Sequence, residues 1–490
     1  MTARLLFFIT VLAFQISAQA ANPIQIAASA ANPRTVFVQM FEWPWKDIAK
    51  ECEIYLGPAG FAAVQVSPPH EHIIWQNNPW WERYQVVSYK LESRGGNEAE
   101  FVDMVNRCKK AGVDIYVDAV INHMTGIPGG VGIAGSQFSH YNYPGIYGYQ
   151  DFHHCGLNGN DDIRNYDNRW EVQHCELLDL SDLATESDYV RSKIAEYLNH
   201  LLDLGVAGFR FDAVKHIPAT DLKAIADKLK RPAYLYSEFI YSPTGEVQYQ
   251  EYLPVGDIMA YSYSESIASA IRSGNAGNLR FVADPFPFGS ADAITFLTNH
   301  DLERGQSVLS YNWNERRQYL LAQVFLLAWP YGYPQLYSGY SYTDREAGPP
   351  MDSNLHTLPI LDDQNNCRAP WTCEHRHRSV AAMVDFRNQT IASFSVQNWW
   401  TNNRDMIAFS RGRQGFVMIN FGNDTFQGEL QTALPDGVYC NIFDKEYSLQ
   451  DRSCMNGYTV SNGSVKMTVG SQSAVVLLRK SSVMNKSIRK

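Results

Sequence analysis

The stretch GFRFDAVKH, residues 208–216, decides the fold because ionisable side chains interrupt an apolar strand pattern. Phe209 and Phe211 suit a buried β-strand, yet Arg210 and Asp212 alternate with them in the same segment. A buried charge is costly unless it is paired, so such residues rarely enter a core without a reason. The stretch therefore predicts either a structural ion pair or a binding site that opens at the end of this strand.

Outside this stretch, short β-rich apolar runs alternate with helical patterns over most of the chain. Strands are predicted at 36–43, 62–69, 114–123, 208–216, 233–240, 257–263, 293–301 and 331–340. Helices are predicted at 46–57, 98–112, 188–205, 220–230 and from Asn314. Repeated strand–helix units indicate a parallel sheet, and eight of them predict a closed (β/α)8 TIM barrel.

Two regions depart from the barrel pattern, which we assign to residues 21–122 and 182–389. Residues 123–181, after the third strand, are rich in Gly, Tyr, Asn and Asp and predict an excursion domain, since loops of this length are usually functional. Short alternating strands over 390–480 predict an antiparallel β-sandwich domain. Residues 481–490 are predicted to form a disordered tail.

Residues 1–20, MTARLLFFITVLAFQISAQA, have an early cation, an apolar run and a small-x-small ending. This pattern is typical of a secretory signal cleaved after Ala20, and its apolar core is too short to span a bilayer. A cytosolic N-terminal helix is the less favoured alternative. No later segment offers a clean apolar run of membrane-spanning length, so no membrane partner is expected. The secretory route also fits the N-glycosylation triplets at Asn388, Asn423, Asn462 and Asn485.

The net charge of -10 argues against a nucleic-acid partner, because a phosphate backbone attracts a basic surface. It is compatible with a soluble extracellular protein that acts on a neutral or cationic substrate.

The 8 cysteines of a secreted chain predict four disulfides, although many pairings are open. Proximity in sequence favours three pairs that close short loops, Cys155–Cys175, Cys367–Cys373 and Cys440–Cys454. The remaining cysteines form the longer pair Cys52–Cys108. Zinc binding is the alternative, but the chain lacks a C-x-x-C pair.

Polar side chains collect at the ends of four predicted strands, where barrel enzymes place their chemistry. They are Asn122, His123, Arg210, Asp212, Lys215, His216, Glu238, Asn299, His300 and Asp301. Three carboxylates converging on one rim from three strands could hold a metal for hydrolysis, or serve as acid and nucleophile at a glycosidic bond. The first strand supplies no histidine for a metal, whereas Trp80, Trp81 and Tyr84 after the second strand favour a sugar.

In these motifs the chain resembles the animal-type α-amylases of the retaining α-glucosidase family, and insect amylase-related secreted paralogues in particular. The resemblance covers about residues 34–480 and rests on DAVINH, GFRFDAVKH, the glutamate of YSEFI, and FLTNHD, in that order. It implies a secreted, calcium-dependent endo-hydrolase of α-1,4-glucans such as starch, glycogen and malto-oligosaccharides. We expect it to act as a monomer.

The resemblance also implies a role for each carboxylate. Asp212 would be the nucleophile, Glu238 the general acid and base, and Asp301 a ligand of sugar hydroxyls. Arg210 precedes Asp212 by two residues on the same strand face, so we expect it to keep Asp212 ionised. Burial is expected to raise the pKa of Glu238.

The remaining site residues follow from the same resemblance. The substrate-binding residues would be Trp80, Trp81, Tyr84, Gln85, His123, Tyr166, Arg210, Lys215, His216 and His300. Calcium would lie between the excursion domain and the barrel, held by the Asn122 side chain, the Asp182 carboxylate, and the backbone carbonyls of Gln173 and His216. Oxygen-only ligation suits calcium, and its role would be structural.

Two departures from the family pattern lead to further expectations. Chloride-activated members use an arginine, an asparagine and a second cation; Arg210 and Asn299 match, but Gln335 stands in the third place. With one cation lost, we expect no tightly bound chloride and chloride-independent activity. The segment after Asp301, DLERGQSVLSYN, is shorter and poorer in glycine than in animal relatives, which predicts a more open cleft.

Two alternatives to hydrolysis remain open at this point. A 4-α-glucanotransferase would use the same glycosyl-enzyme, intercepted by a glucan instead of water. An inactive glucan-binding paralogue is less favoured, because all three carboxylates are present. The C-terminal domain could bind starch, but Trp399 and Trp400 are its only evident aromatic platform, so packing against the barrel is the favoured interpretation.

Overall fold

The computed structural model describes residues 33–157, 159–284, 289–313 and 315–483. The predicted signal at 1–20, the triplet at Asn485 and most of the predicted tail lie outside the described residues, and remain predictions.

Eight parallel strands close into the TIM barrel predicted from the sequence. They are β1 (Phe37–Met40), β2 (Ala63–Val66), β3 (Asp114–Ala119), β4 (Gly208–Phe211), β5 (Tyr234–Ser237), β6 (Asp257–Met259), β7 (Ala293–Thr295) and β8 (Tyr333–Ser338). Each strand ends before its predicted stretch does, because the polar residues that follow it leave the hydrogen-bonded ladder and form the rim.

Helices connect and surround the strands. The α-helices span Trp45–Glu51, Gly57–Ala59, Glu98–Lys110, Arg169–His174, Asp188–Asp203, Ala219–Asp227, Tyr261–Arg272, Leu302–Gly305, Arg316–Ala328 and Arg378–Thr390. A π-helix covers Cys52–Leu56, and 3-10 helices cover Trp80–Tyr84, Tyr149–Asp151, Val214–His216, Tyr249–Glu251, Ala276–Phe281, Ser290–Asp292 and Glu374–Arg376.

The stretch 257–263, predicted to be wholly strand, splits into β6 and the start of a helix at Tyr261. Its continuation buries Ser264, Ile267 and Ile271, which recur at helical spacing on the face that meets the barrel. The short apolar run did not distinguish the two periodicities.

The barrel interior changes character along its axis. Towards the amino ends of the strands, aromatic rings fill it: Phe37 lies 4.8 Å from Tyr333 and 5.6 Å from Tyr116, measured between ring centroids. Two residues further along β3 and β4 the interior becomes polar, where Asp118 and Arg210 are direct cross-strand neighbours. Asp118 and Arg210 thus lie at the carboxyl end of a packed barrel, whereas the buried carboxylate Asp257, at the start of β6, accepts from Tyr234 at 2.6 Å among the aromatic rings.

Residues 123–181 contain the hairpin Gly129–Val131/Gln137–Ser139 and the helix Arg169–His174, held by the Cys155–Cys175 disulfide. A second hairpin, Glu71–His72/Val86–Ser88, precedes them. The other predicted disulfides, Cys52–Cys108, Cys367–Cys373 and Cys440–Cys454, are also present.

The C-terminal region forms two four-stranded antiparallel sheets around a shared core that includes Met418, Val465 and Leu477. One sheet contains Val396–Thr401, Met406–Arg411, Gly415–Asn420 and Ser473–Leu478, and the other Phe426–Gln431, Ser464–Val469, Gly457–Ser461 and Gly437–Cys440. The predicted tail differs at its start, where Ser482–Val483 pairs with Ser453–Cys454.

Trp399 packs towards the barrel. Its ring stacks on Phe409 at 5.8 Å and meets Trp329, at the end of a barrel helix, edge-on at 5.7 Å. Trp400 packs against Phe426 at 5.2 Å. These contacts favour packing over a starch-binding platform.

Three glycosylation triplets fall on described residues. Asn423 and Asn462 are exposed, but Asn388 is buried, accepts hydrogen bonds from Thr35 and donates to the Gly60 carbonyl at 2.9 Å. The expectation that Asn388 is a glycan site is therefore wrong for the folded protein. Within the described ranges, no helix combines the length and apolarity that a membrane crossing requires.

Candidate active site

Arg210 joins the carboxylates at the rim. From the end of β4 its Nη1 donates to Asp118 Oδ1 at 2.5 Å and to Asp212 Oδ1 at 2.7 Å. Its Nη2 lies 3.0 Å from Glu238 Oε1. The guanidinium is fully buried, as is Asp118. One cation therefore positions carboxylates from three adjacent strand ends.

Glu238, directly after β5, is held by two further donors. The Tyr261 hydroxyl donates to its Oε1 at 2.7 Å, and the Ala213 N–H donates to its Oε2 at 2.9 Å. The charge of Glu238 is close enough to Asp212 to raise the pKa of that carboxyl. Glu238 is thus fixed in one orientation beside Asp212.

Asp301 enters the cluster through its neighbours in sequence. Its N–H donates to Asn299 Oδ1 at 3.2 Å, and its Oδ2 lies 3.3 Å from His300 Nε2. The Asn299 amide donates in turn to the Tyr261 hydroxyl at 3.1 Å. The Asp301 side chain is 41% exposed, so it faces the cleft.

Aromatic rings form the wall beside Asp301. His300 stacks on Tyr84 at 5.0 Å and on Phe41 at 4.9 Å, and Trp80 meets it edge-on at 5.5 Å. Tyr84 also donates to Asp118 Oδ2 at 2.9 Å. The aromatic wall and Arg210 therefore contact the same carboxylate, that of Asp118.

The segment after Asp301 is anchored by Arg304. Its guanidinium lies 4.8 Å from the Trp80 ring and 4.6 Å from the Tyr342 ring, and its Nη1 donates to the His300 carbonyl at 2.7 Å. Cation–π contacts of this kind hold a segment in place. The opening of the cleft on this side stays a prediction.

The rim carboxyls share few positive charges, so their pKa values depend on which carboxyl each donor contacts. Burial and the nearby charge of Glu238 hold the pKa of Asp212 well above its usual range. Burial opposes charge on Glu238 too, but Arg210 and hydrogen bonds from Tyr261, Ala213 and Asp212 together lower the pKa of Glu238. The predicted pKa directions, low for Asp212 and raised for Glu238, are therefore opposite to those in the unliganded site. The sequence pattern did not indicate that Arg210 contacts both groups, or that Glu238 has extra donors.

The histidines of the cleft are neutral. Burial lowers the pKa of His123 to about 4, although its Nε2 lies 3.0 Å from the Tyr84 carbonyl. Burial, Arg210 and Arg304 hold the pKa of His300 well below its usual range. Neutral imidazoles are suited to hydrogen-bonding uncharged hydroxyls.

The other predicted substrate residues line two sides of this centre. Trp81 is half-buried and donates to Glu346 Oε2 at 2.6 Å, and Gln85 accepts from the Gly126 N–H at 2.9 Å. On the excursion side, Tyr166 is 45% exposed and lies edge-on to His216 at 6.4 Å. Lys215 is half-buried beside them.

The predicted calcium ligands lie in two pairs. The Asn122 carbonyl accepts from the Leu183 N–H at 3.0 Å, next to Asp182, and the His216 ring contacts the Val172 carbonyl at 2.9 Å, next to Gln173. Burial raises the pKa of Asp182 to about 6, although the His153 ring lies 2.6 Å from its carboxylate. Carboxylate, amide and carbonyl oxygens are the ligands that calcium prefers, so these residue types fit the ion.

A separate acidic group lies in the excursion domain. Among the described residues, Asp162, Glu176 and Asp179 lie close enough to share an ion. Glu176 already accepts hydrogen bonds from His140 and Tyr141, at 3.0 and 2.8 Å. This group is distinct from the predicted calcium ligands.

The three predicted chloride residues differ in how their donors are used. Gln335 donates to Gln65 Oε1 at 2.9 Å and Gln39 Oε1 at 3.4 Å, while Asn299 donates to Tyr261. Gln39 also contacts His300 Nδ1 at 2.9 Å. Among the described residues, Arg210 Nε and Nη2 are buried and have no hydrogen-bond partner, although Nη2 lies 3.0 Å from Glu238 Oε1.

Three residues of this site were absent from the sequence-based set. Asp118 could have been found, because it opens the DAVINH motif and points inward at strand spacing. Trp75, 42% exposed and 6.4 Å from Trp81, also gave a signal as a third tryptophan near the WW pair. Tyr261 gave none, because its segment had been predicted as strand.

Comparison with known proteins agrees with this geometry. The α-amylase catalytic-domain model matches residues 53–235, and the α-amylase C-terminal all-β domain model matches residues 399–480. An α-amylase of Tenebrio molitor is 42% identical over 470 residues, covering 91% of this chain and 96% of the relative. An α-amylase-related protein of Drosophila ananassae is 42% identical over 442 residues, covering 86% and 87%.

A solved structure gives the same result. The crystal structure of α-amylase I from Eisenia fetida superposes with a TM-score of 0.84 at 35% identity, covering 91% of this chain and 97% of that one. Identities above 30% over nearly the whole chain, together with the carboxylate cluster at the barrel rim, identify the family. The chain belongs to the α-amylase family of glycoside hydrolases.

Proposed function

We propose that the protein is a secreted, monomeric, retaining endo-hydrolase of α-1,4-glucosidic bonds in starch, glycogen and malto-oligosaccharides. The observation that carries this proposal is the shared geometry of Asp212 and Glu238, which contact one arginine at the barrel rim, at 2.7 and 3.0 Å. A mutant of the Eisenia fetida enzyme was crystallised with maltohexaose, which supports a malto-oligosaccharide substrate here.

The spacing of the two carboxyls supports retention. Inverting glycosidases leave about 6.5–9.5 Å between them for a water, whereas retaining enzymes keep them about 5–5.5 Å apart. Asp212 Oδ1 and Glu238 Oε1 bind the two terminal nitrogens of one guanidinium, at 2.7 and 3.0 Å, which favours the shorter spacing. The nucleophilic role proposed for Asp212 rests on this spacing.

The reaction proceeds in two displacements. Glu238 gives its proton to the glycosidic oxygen as the C1–O bond breaks, and an oxygen of Asp212 bonds to C1. Water then loses a proton to Glu238 while its oxygen bonds to C1 and displaces Asp212. Asp301, His123 and His300 hold sugar hydroxyls throughout.

The pKa directions of the unliganded pair are compatible with these steps. Asp212 and Glu238 interact electrostatically, so the two carboxyls titrate as a unit. When a sugar ring occupies the cleft, the shared proton is proposed to reside on Glu238, which leaves Asp212 ionised.

Calcium is proposed to brace the site from outside. Asn122, Asp182 and the carbonyls of Gln173 and His216 would hold it, and the bound ion supplies charge balance to Asp182 and rigidity to the β4 end. Removing calcium with EGTA is expected to lower the melting temperature, and calcium, but not magnesium, is expected to restore it. A melting temperature indifferent to both would contradict this site.

Activity is expected to be independent of chloride. Gln335 offers no charge to replace the missing cation, and both Gln335 and Asn299 already donate to protein oxygens. Exhaustive dialysis into a chloride-free acetate buffer should leave kcat unchanged. Loss of turnover that returns when sodium chloride is added would show that an anion is required.

Hydrolysis and glucanosyl transfer can be separated by products. With maltotriose as the sole substrate, a hydrolase yields maltose and glucose, whereas a transferase also yields chains longer than the substrate. We expect shorter products to predominate. An inactive paralogue would give neither, which would remove the proposal.

A further inference from the structure

We propose that Tyr261 is a positioning residue that fixes the orientation and proton affinity of Glu238. This inference rests on the proposed function, because it assigns the acid–base role to Glu238. Tyr261 lies at the first turn of the helix Tyr261–Arg272, directly behind β6.

The direction of its hydroxyl proton follows from the contacts of Asn299. The Asn299 Oδ1 accepts from the backbone N–H groups of Asp301, at 3.2 Å, and Leu302, at 2.8 Å. The opposite end of the amide must therefore be its NH₂ group, which donates to the Tyr261 oxygen at 3.1 Å. With that oxygen already accepting, the hydroxyl proton points to Glu238 Oε1, 2.7 Å away.

A hydroxyl held in this way favours the ionised form of Glu238. Burial holds the pKa of Tyr261 well above its usual range, so the hydroxyl stays protonated across the working pH. A buried donor that cannot turn away stabilises a carboxylate more than a carboxylic acid. Tyr261 thus lowers the pKa of Glu238, whereas burial and the neighbouring carboxylates raise the pKa values of the rim carboxyls.

Other groups also face Glu238, and each is common to the native protein and the proposed variants. They are Arg210, Asp118, Asp212, Asp301, His123, His216 and the Ala213 N–H. Removing the tyrosine oxygen alone therefore isolates its contribution.

Tyr261→Phe provides the test. Loss of one hydrogen bond to a charged group is expected to raise the pKa of the Asp212–Glu238 pair by about one unit. The alkaline limb of the pH profile of kcat/KM should move up by about one unit, because the acid keeps its proton to higher pH. With the carboxyl less firmly oriented, kcat at pH 7 should fall about tenfold while KM changes little.

Tyr263→Phe is the matched control. Tyr263 is a buried tyrosine of the same helix that stacks on Tyr331 at 5.5 Å. Its variant should keep the native pH profile. Should Tyr261→Phe fold poorly, Asn299→Ala tests the same contact, because it removes the amide donor that orients the hydroxyl without adding a charge, and it should move the alkaline limb in the same direction.

The outcomes separate this inference from the proposed function. A native protein that cleaves maltohexaose, with a Tyr261→Phe variant whose alkaline limb is unmoved, overturns the positioning role and leaves the hydrolase proposal intact. A native protein that cleaves no glucan overturns the function itself. A shift in melting temperature without a shift of the pH limb would show that Tyr261 is merely structural.

Discussion

Glu238→Gln is expected to lower kcat on maltohexaose by at least about 10³-fold, because both displacements require this group to give or take a proton. The amide has nearly the shape of the carboxyl and can still accept from the Ala213 N–H, so the fold and KM should be preserved. The measurement is the initial rate of reducing-end formation with purified native and variant protein.

Glu251→Gln is the control for this change. Glu251 is half-buried and pairs with Arg169 at 2.7 Å, beyond β5 in the same connection. Its variant should match the native rate. If Glu238→Gln kept more than a tenth of the native rate, Glu238 could not be the acid–base group.

Arg210→Lys is expected to have the second largest effect. A lysine carries the same charge but cannot make the forked contacts that Arg210 makes to Asp118, Asp212 and Glu238. We expect kcat to fall about 10²-fold, since small misplacements of reacting groups have costs of this size. The pKa values of the carboxyls should rise with weaker pairing, which moves the pH optimum upward.

A second buried arginine supplies the control. Arg387 donates to the Gly332 carbonyl at 2.7 Å, near the amino end of β8 and on the opposite side of the barrel from the rim. Arg387→Lys should lower the melting temperature but leave kcat and the pH optimum unchanged. Equal catalytic losses in the two variants would mean that Arg210 has a general structural role.

The barrel and the three strand-end carboxylates were predictable from residues 208–216 and the motifs around them. Parallel strands bring their carboxyl ends to one rim, so the order of motifs along the chain was enough to place Asp212, Glu238 and Asp301 together. The disulfides were predictable for a similar reason, because short loops allow few partners.

The protonation pattern was not predictable in the same way. It depends on which oxygen each donor reaches, and the donors to Glu238 come from Tyr261 and a backbone N–H, neither of which a motif records. The burial of Asn388 was likewise not predictable from its motif. Its triplet is local, whereas its partners Thr35 and Gly60 are more than three hundred residues away in sequence.

The central claim is that two carboxyls bound to one arginine at the barrel rim cleave an α-glucan by way of a glycosyl-enzyme, and the first-formed anomer tests it most directly. Proton NMR of maltohexaose digestion, recorded before mutarotation, should show new reducing ends in the α configuration. New ends formed in the β configuration, or no cleavage at all, would contradict the account.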